Sequence, residues 1–181
     1  MLFLALSAFL FSCENDIEVV KSLANTQDLP VYSSENIEIE YTDSGFLQIK
    51  IVAPLFEIEK KSEREEYSIF KKGLMVFFYN KSQELIARFK SDYAIYNNNS
   101  QIWKAQGNIV AVNTKGEILQ TELLYWDTQK RKIYTDNMAK VTDESSEVIG
   151  EGFTADEDFT NWEFQKVTGI IDISDKKNIA E

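Results

Sequence analysis

The sequence predicts an all-β protein, and three observations carry that expectation. From Ile37 onward apolar and polar residues alternate with a period of two, the spacing that turns one face of a strand toward a core. Turn-forming clusters interrupt these runs every roughly 8–12 residues, as in sandwiches, barrels and rolls. Beyond the extreme N-terminus no long amphipathic helical pattern occurs.

At 181 residues the chain accommodates one domain with short appendages. Only 7 Gly and 2 Pro argue against long linkers, while 12 Phe, 8 Tyr and 3 Trp supply material for a core. The formal net charge of −11, from 30 acidic and 19 basic residues, disfavours nucleic acid as a partner, because affinity for phosphates comes from Lys and Arg releasing counterions. An anionic glycolipid would be repelled at long range for the same reason, so acyl chains rather than phosphates would have to supply the affinity. There is no histidine, and Cys13 is the only cysteine. That removes histidine-based triads, Cys–His dyads, the usual zinc sites and any disulfide within one chain. No catalytic residues, metal ligands or cofactor are expected, and the acids, which show no spacing signature, read as a solvated face.

Residues Leu2 to Phe11 read LFLALSAFLF, apolar except for Ser7. The run falls short of the ~20 residues a membrane span needs and fits the apolar core of a secretion signal. Its end, Leu10-Phe11-Ser12-Cys13, resembles the bacterial lipobox, whose cysteine is lipidated and becomes the mature N-terminus. Phe11 is bulkier than the usual residue there, and no Lys or Arg precedes the apolar run; the alternative is a buried N-terminal helix carrying a free thiol. Lipidation of Cys13 would hold the protein on a membrane, since each buried acyl CH₂ contributes ~0.8 kcal/mol. The chain accordingly divides into a signal over 1–12, a lipidated N-terminus and tether over 13–34, a β domain over 35–175 and a tail over 176–181. Which membrane and leaflet hold the anchor stays open.

Within the domain, Ile37, Ile39 and Tyr41 alternate with Glu38 and Glu40, and Leu47, Ile49 and Ile51 with Gln48 and Lys50. The intervening Asp43-Ser44-Gly45 makes these two runs a hairpin. Residues Glu57 to Lys72 are densely charged and read as a solvated loop or edge strand, with a helix as the alternative. Leu74 to Tyr79 is apolar throughout, the mark of a strand covered on both faces. Further strands follow at Leu85 to Phe89, Tyr93 to Tyr96, Ile102 to Ala105, Ile109 to Val112, Ile118 to Trp126, Ile133 to Thr135, Met138 to Val141, Val148 to Ala155 and Val167 to Ile173. A faint repeat at an offset of 30 aligns Tyr96-Asn97 with Trp126-Asp127, Trp103 with Ile133, Ala105 with Thr135 and Ala111 with Val141. It suggests stacked strand–turn–strand units.

The ordered set Tyr93-Ala94-Ile95-Tyr96, Trp103-Lys104-Ala105-Gln106-Gly107-Asn108-Ile109-Val110, Gly116 to Asp127 and Ile133-Tyr134-Thr135-Asp136 resembles the LptC family. Gly150-Glu151-Gly152-Phe153-Thr154-Ala155, Trp162 and Gly169 resemble its C-terminal part, so the likeness spans Ile37 to Ile171. The lipobox is similar to the lipoprotein variant found in Bacteroidetes, where an acyl anchor stands in for a transmembrane helix. The resemblance implies an open antiparallel β-jellyroll of stacked short strands, OstA/LptA-like. It implies a non-catalytic component of lipopolysaccharide export on the periplasmic face of the inner membrane. Such a component accepts lipopolysaccharide from the LptB, LptF and LptG transporter and passes it to an LptA-like bridge along an apolar groove.

On that reading the candidate groove residues are Phe77, Tyr79, Phe89, Tyr93, Trp103, Val110, Val112, Leu119, Leu123, Tyr125, Ile133 and Phe153. For each of them ordinary core packing is the competing role, and parity after Gly107 and around Leu123-Leu124 is ambiguous, because a bulge there flips the facing. Gly150 and Gly152 mark either a partner-binding strand or a simple bulge, Trp162 a packing anchor, and Cys13 the lipidation site. Two other function classes compete. A surface-exposed β-sandwich lipoprotein binding glycan or protein predicts exposed aromatics on one face. A glycosidase-like enzyme predicts two carboxylates ~5–9.5 Å apart across a cleft.

Overall fold

The computed structural model of the chain describes residues 30–62 and 65–172. The expected signal, Cys13, most of the expected tether and the expected tail lie outside the described residues. A strand that hides one face must lay that face on a second layer. Here eleven strands form one sheet that supplies its own second layer by folding over. In chain order they are β1 (Tyr32–Asp43), β2 (Phe46–Ser62), β3 (Glu65–Phe70), β4 (Leu74–Tyr79), β5 (Leu85–Ser91), β6 (Tyr93–Asn97), β7 (Ile102–Asn113), β8 (Ile118–Asp127), β9 (Lys132–Thr142), β10 (Ser146–Asp156) and β11 (Trp162–Asp172). The jellyroll-like all-β architecture is the one the sequence predicts. β1 begins at Tyr32, so the sheet also takes in the last residues assigned above to the tether.

Neighbouring strands pair antiparallel. The order runs β11-β10-β9-β8-β7-β5-β4-β2-β3-β6, with β1 on the other edge of β2 and a further pairing of β6 with β7. Two long strands are shared between layers. β2 pairs with β4 through Ile49–Val52 and with β3 beyond Glu57; β7 pairs with β6 through Ile102–Gln106 and with β5 through Val110–Asn113. The charged segment after Glu57 is therefore strand on both sides of residues 63–64, with no helix among the described residues. Its charges are matched across the ladder: Lys71 bridges Glu57 at 2.6 Å and Glu59 at 3.0 Å, and these two carboxylates hold its ammonium well above the usual lysine range.

The fold line crosses successive strands at the same level. The β1–β2 register skips Asn36, whose φ is 52°, next to Pro54, where β2 passes from β4 to β3 and a missing N–H leaves no ladder bond unmade. The ladders also shift between Gln106 and Ile109 of β7, between Thr121 and Tyr125 of β8, and between Glu151 and Phe153 of β10. Such bulges bend a strand while leaving its ends paired. Side chains stitch the line together. Asn108 donates through Nδ2 to Asp92 at 2.6 Å and through its backbone N–H to Glu122 at 3.3 Å, and the Asp92 N–H donates to the Gly107 carbonyl at 3.1 Å. Gly73 turns the chain here with φ 77°, and a Cβ at this position would lie 2.4 Å from the Ser91 carbonyl oxygen.

The offset of 30 is real in space. Asp92, Glu122 and Gly152 all lie on the fold line, as do Gly107 and Asn137. Asn97 and Asp127 cap equivalent turns by accepting backbone N–H groups two or three residues on. Asn113 and Asp143 do the same at the opposite end.

Substituting Gly73→Ala is expected to cost at least about 2 kcal/mol, combining the left-handed penalty with the backbone clash. Gly45→Ala, where φ is 83° but nothing lies within 4 Å, should cost only about 1 kcal/mol. Urea midpoints would compare them, and equal losses would show that the close approach at Gly73 is unimportant. Asp143 accepts hydrogen bonds from the backbone and hydroxyl groups of Ser145 and Ser146, which lower its pKa from 3.8 to about 2. A depressed carboxyl contributes stability that is complete above the unfolded value and lost as pH falls through the folded one. Between pH 3.8 and about 2 the wild type should therefore lose stability more steeply than Asp143→Asn in acid titrations of the unfolding midpoint.

Candidate functional site

Folding the sheet brings two inner faces together, and their compositions differ. The layer holding β3 and β6 presents large rings: Phe56, Phe70, Tyr96, Trp103, Trp126, Phe153, Trp162 and Phe164. The layer holding β4 and β5 presents Ile51, Leu74, Val76, Ile109, Leu119 and Val141, together with Phe78 and Phe89. Alanines at 53, 87, 94, 105, 111, 139 and 155 stand buried between them. Small residues on the inner face make room for the rings opposite, the interdigitation that close packing requires.

The rings form a line perpendicular to the strands. Tyr32, Phe56, Phe70, Trp103 and Trp126 follow one another with centroid separations of 6.1, 5.3, 5.4 and 6.0 Å. Phe78 reaches across from the other layer to Trp126 at 5.5 Å. Beyond buried Ile133 the line resumes with Phe153, which stacks on Trp162 and meets Phe164 edge-on at 5.4 Å. The apolar seam thus runs from β1 at one edge of the sheet to β11 at the other. Among the described residues each of these strands pairs along one side only, and the inner face emerges there: Tyr41 is 60% exposed, Tyr32 52% and Ile170 71%.

Along the seam lies a small cavity of about 40 Å³, lined from one layer by Trp103, Ala105, Leu124 and Trp126 and from the other by Leu74, Val76, Phe78 and Phe89. Its far wall is the loop between β10 and β11, which spans both layers at their ends farthest from the fold line. On one lip Glu157 accepts from Arg131 Nε at 2.6 Å and from Trp126 Nε1 at 3.3 Å, and Asp156 pairs with Lys132 at 2.7 Å. On the other, the Asn113 amide donates to the Phe159 carbonyl and Lys115 to the Thr160 carbonyl, both at 2.8 Å, while Trp162 Nε1 donates to Glu117 at 3.1 Å. Lys132 and Asn161 hold the Asp156 carboxyl below its ordinary range, and Glu157 raises Arg131. Phe159 itself is 1% exposed and reaches Phe153 at 6.0 Å. Burying such a side chain contributes about 1.5–3 kcal/mol, against about 0–1 kcal/mol for each exposed ion pair.

Five of the groove candidates read from the sequence lie on the inner face: Phe89, Trp103, Leu119, Ile133 and Phe153. Phe77 and Tyr79 do not. β4 buries Leu74, Val76 and Phe78 and leaves Met75 exposed, so it is covered on one face rather than two. Tyr93 alternates with inward Ala94, Tyr125 with inward Leu124 and Trp126 lies beyond it, and Val110 and Val112 alternate with Ile109 and Ala111. These last four outer positions follow from strand parity, set for Val110 and Val112 by the bulge on β7 after Gly107. Phe77 and Tyr79 had no polar neighbour to phase them. Leu123 sits half-buried on the fold line beside inward Leu124. Gly150 and Gly152 lie at register shifts in β10, and a Cβ on Gly150 would meet the Lys166 carbonyl and the Phe164 ring at 2.7 Å. β10 is paired on both sides, with β9 and β11, so among the described residues it is β11 that ends the sheet. Among the inner residues absent from the groove candidates are Phe56, Phe70, Phe78, Trp126, Phe159 and Phe164. The offset of 30 pointed at Trp126, whereas Phe159, a lone aromatic in an acidic turn, carried no periodic signal.

Chemically the seam can shield apolar chains. Of the acids among the described residues only Asp127 is buried, and it is engaged by its own turn and by Lys130. No curated protein matches the chain. The model of the family described as lipopolysaccharide-assembly, LptC-related, matches residues 1–172. The jellyroll-like antiparallel sheet is what the resemblance in the strands implied, and the chain belongs to the LptC-related family of lipopolysaccharide assembly.

Proposed function

We propose that this protein is a non-catalytic relay that accepts lipopolysaccharide from an inner-membrane ABC transporter of the LptB, LptF and LptG type and passes it to an LptA-like partner. In this reading a lipid on Cys13 holds it at the periplasmic face of the inner membrane, and the acyl chains travel along the seam between the two layers. The observation that carries it is the line of rings from Tyr32 to Trp126, continued by Phe153 and Phe164. It joins two strands that each keep an unpaired edge among the described residues. Edge strands are normally a liability; pairing with a strand of a partner at each end converts them to interfaces and extends the apolar path from protein to protein. β1 and β11 would serve as those two edges. An interior this apolar, in a chain of net charge −11, takes its affinity from acyl chains and leaves the phosphates in solvent.

Ultraviolet crosslinking in cells from a photoreactive residue replacing Trp103 should yield lipopolysaccharide adducts that vanish when the transporter's ATPase is inactivated. The same residue at Phe77, on the opposite face, should yield none. Adducts at neither position in a folded, anchored protein would remove the relay and favour a surface-binding lipoprotein. The charge argument makes a second expectation. Raising salt screens the repulsion between an acidic protein and an anionic headgroup, so lipid A uptake should quicken with ionic strength. A steep slowing would show that cations, and not the seam, hold the cargo.

A further inference from the structure

Resting on the reading that the seam carries acyl chains, we propose that the loop Asp156–Asn161 is a latch and that Phe159 occupies an acyl position until cargo displaces it. The cavity beside Phe159 in the seam is about 40 Å³, whereas ligand pockets typically measure about 300–1,000 Å³. Something in the wall must therefore move for a chain to enter. The strands that line the cavity are fixed in ladders; β4, β5 and β7 are each hydrogen-bonded to neighbours on both sides. The loop is held differently, by the ion pairs of Glu157 and Asp156 and one backbone bond from the Glu157 N–H to the Arg131 carbonyl on one lip, and by the side chains of Asn113 and Lys115 on the other.

These contacts lie at the end of the ladders, where Asp156 opposite Lys132 is the last pair of β9 with β10 and the only residue of the loop in strand pairing. β10 and β11 stay paired up to Ala155 and Trp162, so the loop can swing away as a hairpin tip. Phe159 holds a φ of 56°, a region that non-glycine residues populate sparsely and keep only where contacts impose it. The three acids Asp156, Glu157 and Asp158 gain hydration when the tip is released. Phe159 leaves behind an apolar slot against Phe153, at the mouth where the two layers are farthest from the fold line.

The test uses the full chain in lipid nanodiscs and a dansyl-labelled undecanoic acid, with empty nanodiscs as the blank. Energy transfer from the three tryptophans reports entry of the probe. Removing both ion pairs of the first lip with Arg131→Gln and Lys132→Gln should speed uptake about threefold or more. Phe159→Ala should bind the probe more tightly for want of its competitor. Hydrogen exchange covers the case in which that variant fails to fold. In the wild type the amides of Glu157 and Phe159, bonded to the Arg131 and Asp156 carbonyls, should exchange faster with probe bound, while those of Leu119 and Val141 stay protected. Probe binding with unchanged loop protection and unchanged uptake in the double variant would overturn the latch and leave the relay standing. No energy transfer in any form of the protein would remove the relay, and the latch with it.

Discussion

The whole molecule depends on one constraint: hydrogen-bonded neighbours in a sheet cannot bend independently. A sheet of eleven strands with one apolar face has no other layer to cover it among the described residues, so it covers itself, and the bend must cross strand after strand at one level. That requirement explains residues that otherwise look unrelated. Pro54 stands where β2 changes partners, Gly73 where a Cβ would strike a carbonyl, and Gly152 where β10 faces an extra residue on β9. Asn108 is tied to Asp92 and Glu122 because the bulge exposes backbone and side-chain polar groups that need partners. Without this line the two inner faces would both be exposed, and neither the core nor the seam would exist.

The second consequence is that core and seam are one surface. Rings on one layer meet aliphatic groups on the other, and the buried alanines set the distance between them. Packing at this density leaves little room. Any chain that enters must replace contacts the protein already makes with itself, so the net gain on binding is the difference between two similar apolar environments. A relay needs such a difference to be small, because a tightly held cargo would not leave.

The fold was legible in the sequence for reasons that apply strand by strand. Alternation at Ile37, Ile39 and Tyr41 against Glu38 and Glu40 phased β1 without ambiguity, and Asp43-Ser44-Gly45 supplied the turn. Where one face is charged, as with Arg88 and Lys90 around Phe89, the inner residue could be read correctly. Legibility failed where that phasing was absent. Leu74 to Tyr79 has no polar residue, so nothing in its pattern separates Phe77 from Phe78. The charged run after Glu57 left strand and solvated loop undecided, because ladders there are held by cross-strand ion pairs such as Lys71 with Glu57 rather than by apolar burial alone. The loop carrying Phe159 lies outside any period; its burial follows from the folding of distant layers onto one another, which no local pattern encodes.

The placement of the least regular element at the seam's mouth completes the physical argument. Ladder hydrogen bonds distribute any displacement over many strands, so a wall made only of ladders would open at the expense of the whole sheet. A loop held by a few side chains and one backbone bond to the Arg131 carbonyl opens locally. The chain places Phe159 on such a loop and anchors it to both lips, through Arg131 and Lys132 on one and Asn113 and Lys115 on the other. A folded sheet otherwise faces a choice between stability with its apolar faces in contact and access with those faces apart. Assigning closure to a detachable aromatic lets the ladders keep the fold while the interior becomes accessible at one point.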